Sequence, residues 1–111
     1  MDLVTLQNLK IGEIISFHSG GSVFGTGNSM QEQFFTVTKI EDIKEPTLPE
    51  WEDTPKPGPA KKYYLQHYPS KKEFYLLVPK DYEKEKYVYF DNESQDIQDF
   101  IPITQLTLRK K

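Results

Sequence analysis

The sequence predicts a mostly all-β fold: a small SH3-like or OB-like barrel of about five to six short strands with two long loops. Three observations carry this. Runs rich in β-branched and aromatic residues recur along the chain, bounded by Gly, Pro, Asn and Ser. No segment shows a sustained helical repeat. The chain has 111 residues, 14% of them aromatic and none cysteine, so one aromatic-rich core must hold it together without disulfides. We read residues 1–111 as a single barrel-like domain.

In chain order, a first turn of helix after Asp2 is the earliest element expected. The first strand is Ile11 to His18, ending at Gly20-Gly21. Residues 19–32, with Gly20, Gly21, Gly25 and Gly27, read as a flexible loop. The second strand is Gln33 to Ile40; strict alternation puts Phe34, Thr36, Thr38 and Ile40 on one face and Phe35 and Val37 on the other. Residues 45–60 carry Pro46, Pro49, Pro55, Pro57, Gly58 and Pro59 and form the second long loop.

Lys62 to Tyr68, the Pro69-Ser70-Lys71-Lys72 turn and Glu73 to Val78 make a hairpin. Tyr87 to Asp91 is the next strand. Residues 92–100, capped by Asn92 or Ser94, are a candidate short helix on local grounds. The last run, Phe100 to Leu108, contains Pro102, which a central strand does not tolerate. A single 3₁₀ turn over 103–105 therefore precedes a closing strand, an arrangement SH3-like barrels often have.

Composition narrows function by exclusion. Without cysteine there is no thiol nucleophile, iron–sulfur cluster or cysteine zinc site. The N-terminal run Met1 to Gln7 lacks the basic start and apolar stretch of a signal peptide, and no apolar run is long enough to span a membrane. The expectation is a soluble, cytoplasmic protein. The net charge of -3 disfavours broad nucleic-acid binding, which works by displacing counterions. Charge is nonetheless segregated: acids crowd Glu41 to Asp53, lysines Lys56 to Lys72, and acids again Asp91 to Asp99.

Catalytic and cofactor motifs fail on inspection. The glycine-rich segment has Thr26 where a Walker loop needs lysine, and Met30 where a dinucleotide fingerprint needs its third glycine. His18 and His67 are the two histidines and have no ligand spacing around them. Asp91 to Asp96 lacks the glycine of a calcium loop and reads as a solvated acidic turn. No nucleophile elbow is present. We expect no catalytic residues, metal or cofactor.

Two segments point to binding instead. In the acidic, proline-rich loop, Glu50, Trp51, Glu52 and Asp53 offer a tryptophan anchor with carboxylates suited to a basic partner surface; a tryptophan there can equally fold back to cover the open end of the barrel. In the hairpin, Tyr64 and Tyr68 share a strand face with Gln66, and Lys61, Lys62, Lys71 and Lys72 flank them. Such a face can stack bases while lysines hold phosphates; the overall acidic charge favours the plainer reading, a hairpin with paired tyrosines and edge-protecting lysines. The leading expectation is a non-catalytic interaction module that binds a protein, as an inhibitor, immunity protein or adaptor does. The alternatives are single-stranded nucleic-acid binding on the Tyr64/Tyr68 face, and a small ligand in the barrel mouth under the glycine loop.

Overall fold

A computed structural model describes residues 3–20, 24, 30–44, 59–68, 70–79, 87–94, 97 and 99–109. A five-residue helix, α1 (Leu3–Gln7), precedes seven strands among these residues: β1 (Ile14–Ser19), β2 (Gln31–Ile43), β3 (Ala60–Tyr68), β4 (Glu73–Pro79), β5 (Tyr87–Asp91), β6 (Asp99–Pro102) and β7 (Thr107–Arg109). A 3₁₀ turn, Ile103–Gln105, joins the last two. The strands form one antiparallel sheet in the order β6-β5-β4-β3-β2-β1-β7.

That order forces the sheet to curl. In a flat sheet, six intervals of about 4.8 Å would separate its two edges by roughly 29 Å. Yet the edge strands are consecutive in sequence, and the five residue steps from Pro102 to Thr107 reach at most about 17 Å. The sheet answers by rolling into a half-barrel. The same turn explains why there are seven strands and not the expected five to six: Pro102 and the 3₁₀ turn divide the last run into strands on opposite edges. The described part of 92–100 has no helix; a turn at 93–94 leads into β6.

Alternation sorts the side chains onto two faces. Ile15, Phe17, Phe35, Val37, Leu65, Phe74, Leu76, Val78, Val88, Phe90 and Ile101 point inward and are buried, with Leu6 and Leu9 from the N-terminal segment and Leu106 from the final turn. The phenylalanines touch one another. Phe17 stacks on Phe35 at 5.0 Å between centroids, Phe74 stacks on Phe90 at 5.2 Å, and Phe35 meets Phe90 edge-on at 5.5 Å. Such contacts add to burial about 0.5–1.5 kcal/mol per pair.

Strand β2 departs from strict alternation. Its pairing with β3 shifts between Val37 and Lys39, so Thr38 is an extra residue in a β-bulge. The bulge reverses the inward parity: Ile40 packs on the core with Phe35 and Val37, not on the face of Phe34. Thr38 Oγ1 donates to the Tyr64 carbonyl at 3.3 Å and so ties the bulge to β3.

The first strand begins at Ile14, later than expected, because Gly12 turns the chain with φ at 94°, a conformation glycine adopts without steric cost. The predicted glycine-rich loop is shorter than 19–32: Ser19 pairs with Gln31 and His18 with Glu32 inside the sheet. Phe24, in its middle, belongs to the core and lies 5.5 Å from Phe74. No helix among the described residues is long and apolar enough to cross a membrane.

Candidate functional site

The outer face of β2, β3 and β4 gathers Tyr64, Tyr68 and Lys62 of the aromatic-basic segment. Within β3, Tyr63, Leu65 and His67 are buried, while Gln66 and Tyr68 are exposed and Tyr64 is half-buried. The predicted alternation of faces therefore holds. The lysines divide in a way that alternation alone does not reveal.

Lys61 turns away from the tyrosine face. Its ammonium donates to the Gln7 carbonyl at 2.9 Å and so caps the last turn of α1, where carbonyls lack helical partners. Lys62 lies between two rings, 4.7 Å from the centroid of Tyr64 and 4.4 Å from that of Tyr75, and pairs with Glu93 at 3.4 Å. Burial lowers its ammonium pKa, but the Tyr64 hydroxyl and the Glu93 carboxylate outweigh burial and hold it above the ordinary lysine value. Lys39 covers Tyr64 from the other side at 5.1 Å and pairs with Glu41 at 3.6 Å. Tyr64 thus sits between two cations that are themselves neutralised. Beside it runs a groove of about 210 Å³, lined by Thr38, Lys39, Tyr64, Glu73 and Glu93 among others.

Tyr68 is different. It is 72% exposed and stands directly opposite Phe34 of β2, which is 37% exposed. The two residues face each other across β2 and β3 at one corner of the sheet. Met30, 68% exposed, precedes β2 on the same side of the chain's alternation. Lys71 and Lys72 are exposed at the adjoining turn, with Lys71 at a φ of 63°. Phe34 was not singled out from sequence; its pairing with Tyr68 depends on the register of two strands joined by a long connection. Elsewhere on the outer face, Arg109 of β7 clamps the sheet edge: its Nε donates to Ser16 Oγ at 3.2 Å and its Nη2 reaches both Glu32 oxygens at 2.7 and 2.5 Å.

Behind the pair lies a buried polar chain. His67 is 1% exposed. Its Nε2 lies 2.7 Å from Gln33 Oε1, and Gln33 Nε2 donates to the Ser19 carbonyl at 3.2 Å. That fixes Gln33 Oε1 as an acceptor, so Nε2 carries the ring proton and Nδ1 accepts from the Ser70 hydroxyl at 2.5 Å. Serine, histidine and an orienting amide in line have the outline of a nucleophile and base. The surroundings oppose that use. Phe24, Phe35 and Phe74 surround the ring at 5.1 to 6.2 Å, and among the described residues no carboxylate faces it to stabilise a proton taken there. Its pKa is lowered by burial, with Lys72 contributing.

Other expectations are corrected or fall elsewhere. Asp91 is not a solvated acid: it is fully buried, and its carboxylate accepts from the Tyr89 hydroxyl at 2.5 Å and from the amides of Asn92 and Ile97 at 2.7 and 3.0 Å. It organises the turn after β5. Burial, then the Asp91 hydrogen bond, raise the Tyr89 phenol well above its usual range. His18 is exposed on the outer face and His67 buried on the inner one, so the two do not meet. No group of three or more metal-ligating side chains gathers among the described residues. Glu50, Trp51, Glu52 and Asp53 lie outside the described residues, as does most of the glycine-rich segment. No protein-family model, no curated protein and no solved structure matches this chain.

Proposed function

We propose that this chain is a non-catalytic interaction module that binds a protein partner at the corner of β2 and β3, centred on Phe34 and Tyr68. One observation carries the reading: the sheet covers Tyr75 and Tyr89 on its outer face yet leaves this aromatic pair in solvent. Aromatic side chains bring large apolar area with little rotamer entropy to lose, and they dominate the energetics of protein interfaces. Lys71 and Lys72 at the rim suit acidic groups on the partner. The segment Glu50-Trp51-Glu52-Asp53 is proposed as a second contact, for a basic surface. The test is native mass spectrometry of the complex isolated from source cells, comparing wild type with a Phe34→Ala/Tyr68→Ala variant. The reading expects a stoichiometric partner lost in the variant while circular dichroism stays unchanged. A partner retained by the variant would overturn it.

A second reading is single-stranded nucleic-acid binding, favoured by the same pair because two rings beside two lysines can stack adjacent bases. Several observations weigh against it. Lys61 is engaged with α1 and Lys62 with Glu93, and Glu32 and Glu73 share the outer face. It predicts strongly salt-dependent binding to short oligonucleotides; no binding at low salt excludes it. For the barrel type we favour the SH3-like class over the OB-like one. A meander that ends in a 3₁₀ turn and a closing strand on β1 supports that choice and implies no activity by itself.

A further inference from the structure

We infer that His67 is an acid-sensitive latch on the β3–β4 hairpin: a proton added to its ring reverses the Ser70–His67 hydrogen bond, places a charge among Phe24, Phe35 and Phe74, and loosens the turn that presents Tyr68 and Lys71. The geometry assigns each hydrogen. In the neutral ring Nε2–H donates to Gln33, and Nδ1 accepts from Ser70. Protonation places a hydrogen on Nδ1, facing the hydroxyl that was donating to it. Ser70 must then swing its own proton away and accept from Nδ1 on an oxygen that already receives the Lys72 amide at 3.2 Å.

The turn depends on this chain. Two main-chain bonds cross it: Lys71 N donates to the His67 carbonyl and His67 N to the Lys72 carbonyl, each at 2.8 Å. Lys71 holds a left-handed φ that a non-glycine residue adopts only when its surroundings impose it. His67 and Ser70 supply the side-chain tie across that strained step.

No carboxylate among the described residues faces the ring to balance an imidazolium. From β2, Gln33 and Phe35 face the ring; Glu32 lies on the opposite face and is held by Arg109. From β4, Phe74 faces it and Glu73 is on the exposed side. Phe24 closes the pocket, and the turn contributes Lys71 and Lys72, both cations. The ordinary value for histidine is 6.5, and here it is lowered. The closed turn therefore binds the proton less readily than the open one. Its stability is fully present above 6.5, falls as the pH drops from there to the folded value, and then levels off.

The test reads the free chain and so is independent of any partner. Hydrogen–deuterium exchange of the His67 and Lys71 amides is followed from about pH 7.5 to about pH 4.5, expressed as protection against the unstructured rate. Protection should fall by up to about tenfold per pH unit within the window. In His67→Gln the fall should vanish. In Ser70→Ala, an exposed position whose change leaves the core intact, protection should already be low at neutral pH. Constant protection in the wild type, or a fall that persists in His67→Gln, overturns the latch.

Discussion

Tyr64 and Tyr68 occupy the same strand and the same face, yet their surroundings have little in common. Tyr64 is enclosed by Lys39, Lys62 and Tyr75, with Glu93 neutralising one of the cations. Tyr68 has Phe34 opposite and is otherwise open. Alternation assigns a residue its face, but the strands on either side decide how much of that face water reaches. Tyr64 lies mid-sheet beside the Thr38 bulge, where long side chains from three strands converge. Tyr68 lies at the hairpin end, where the sheet stops. The first region spends its aromatics on holding the sheet together. The second leaves them available.

The sharpest way to test this division is to cross from one face to the other. Phe34 and Phe35 are neighbours in sequence, but Phe35 is fully buried and touches Phe17, Phe24, Phe74 and Phe90. Phe35→Ala should lower unfolding free energy by about 3–5 kcal/mol, the cost of emptying an aromatic core site. Phe34→Ala should cost less than about 1 kcal/mol. Denaturant midpoints at unchanged m-value measure both. Similar losses from the two would erase the distinction between faces.

How far the sequence alone reaches is visible in the same residues. Inward and outward positions of β3 follow from period-two patterning because that signal is local. The bulge at Thr38 is not local: Thr36, Thr38 and Ile40 read as one face until the pairing with β3 breaks the count. Ser16 and Thr107 pair across most of the chain's length, so which strands form the edges could not be read from neighbouring residues. Phe24 hides in a glycine-rich stretch whose composition signals a loop. Asp91 looked solvated because an acidic turn usually is, and only the fold brings Tyr89 and two amides onto its carboxylate. Of the candidate site, the Tyr68 and lysine positions were legible. The partnership with Phe34 and the diversion of Lys61 and Lys62 were not, since each depends on register or on a distant element.

A smaller effect concerns the inner face beside Tyr64. The Tyr63 hydroxyl is buried with no hydrogen-bond partner among the described residues. Burial pushes its phenol up to about 12; the Leu9 backbone opposes this without meeting hydrogen-bond geometry, and the Asp42 and Glu13 carboxylates add to the rise. An unpaired buried hydroxyl costs desolvation and returns nothing. Tyr63→Phe should therefore raise unfolding free energy by about 1–2 kcal/mol. A loss would mean that the hydroxyl has a partner after all, a bound water being the simplest.

Smaller again is the enclosure of Tyr64. Lys62→Ala removes a cation from two ring faces and a partner from Glu93, a change worth about 1 kcal/mol. It should also leave Tyr64 more exposed, which raises its rate of reaction with a phenol-modifying reagent toward that of Tyr68. Equal reactivity of the two tyrosines in the wild type would show that the lysines do not shield the ring.

The smallest expected change in stability belongs to the residue with the largest expected role in binding. Tyr68→Ala removes a side chain that is 72% exposed, so the unfolding midpoint should move by no more than about 0.5 kcal/mol. Strand β3 ends there, with Phe34 of β2 opposite it in register. If Tyr68 served mainly to cap the sheet corner, the variant would lose stability in proportion to the area it covers, and partner affinity would fall only as the folded fraction falls. If it serves as an anchor, affinity should drop by 2 or more kcal/mol, about thirtyfold, at constant stability. The two quantities are measured on the same preparation, by thermal unfolding and by titration with the partner. Their ratio decides whether the exposed corner is a binding surface or an unfinished edge.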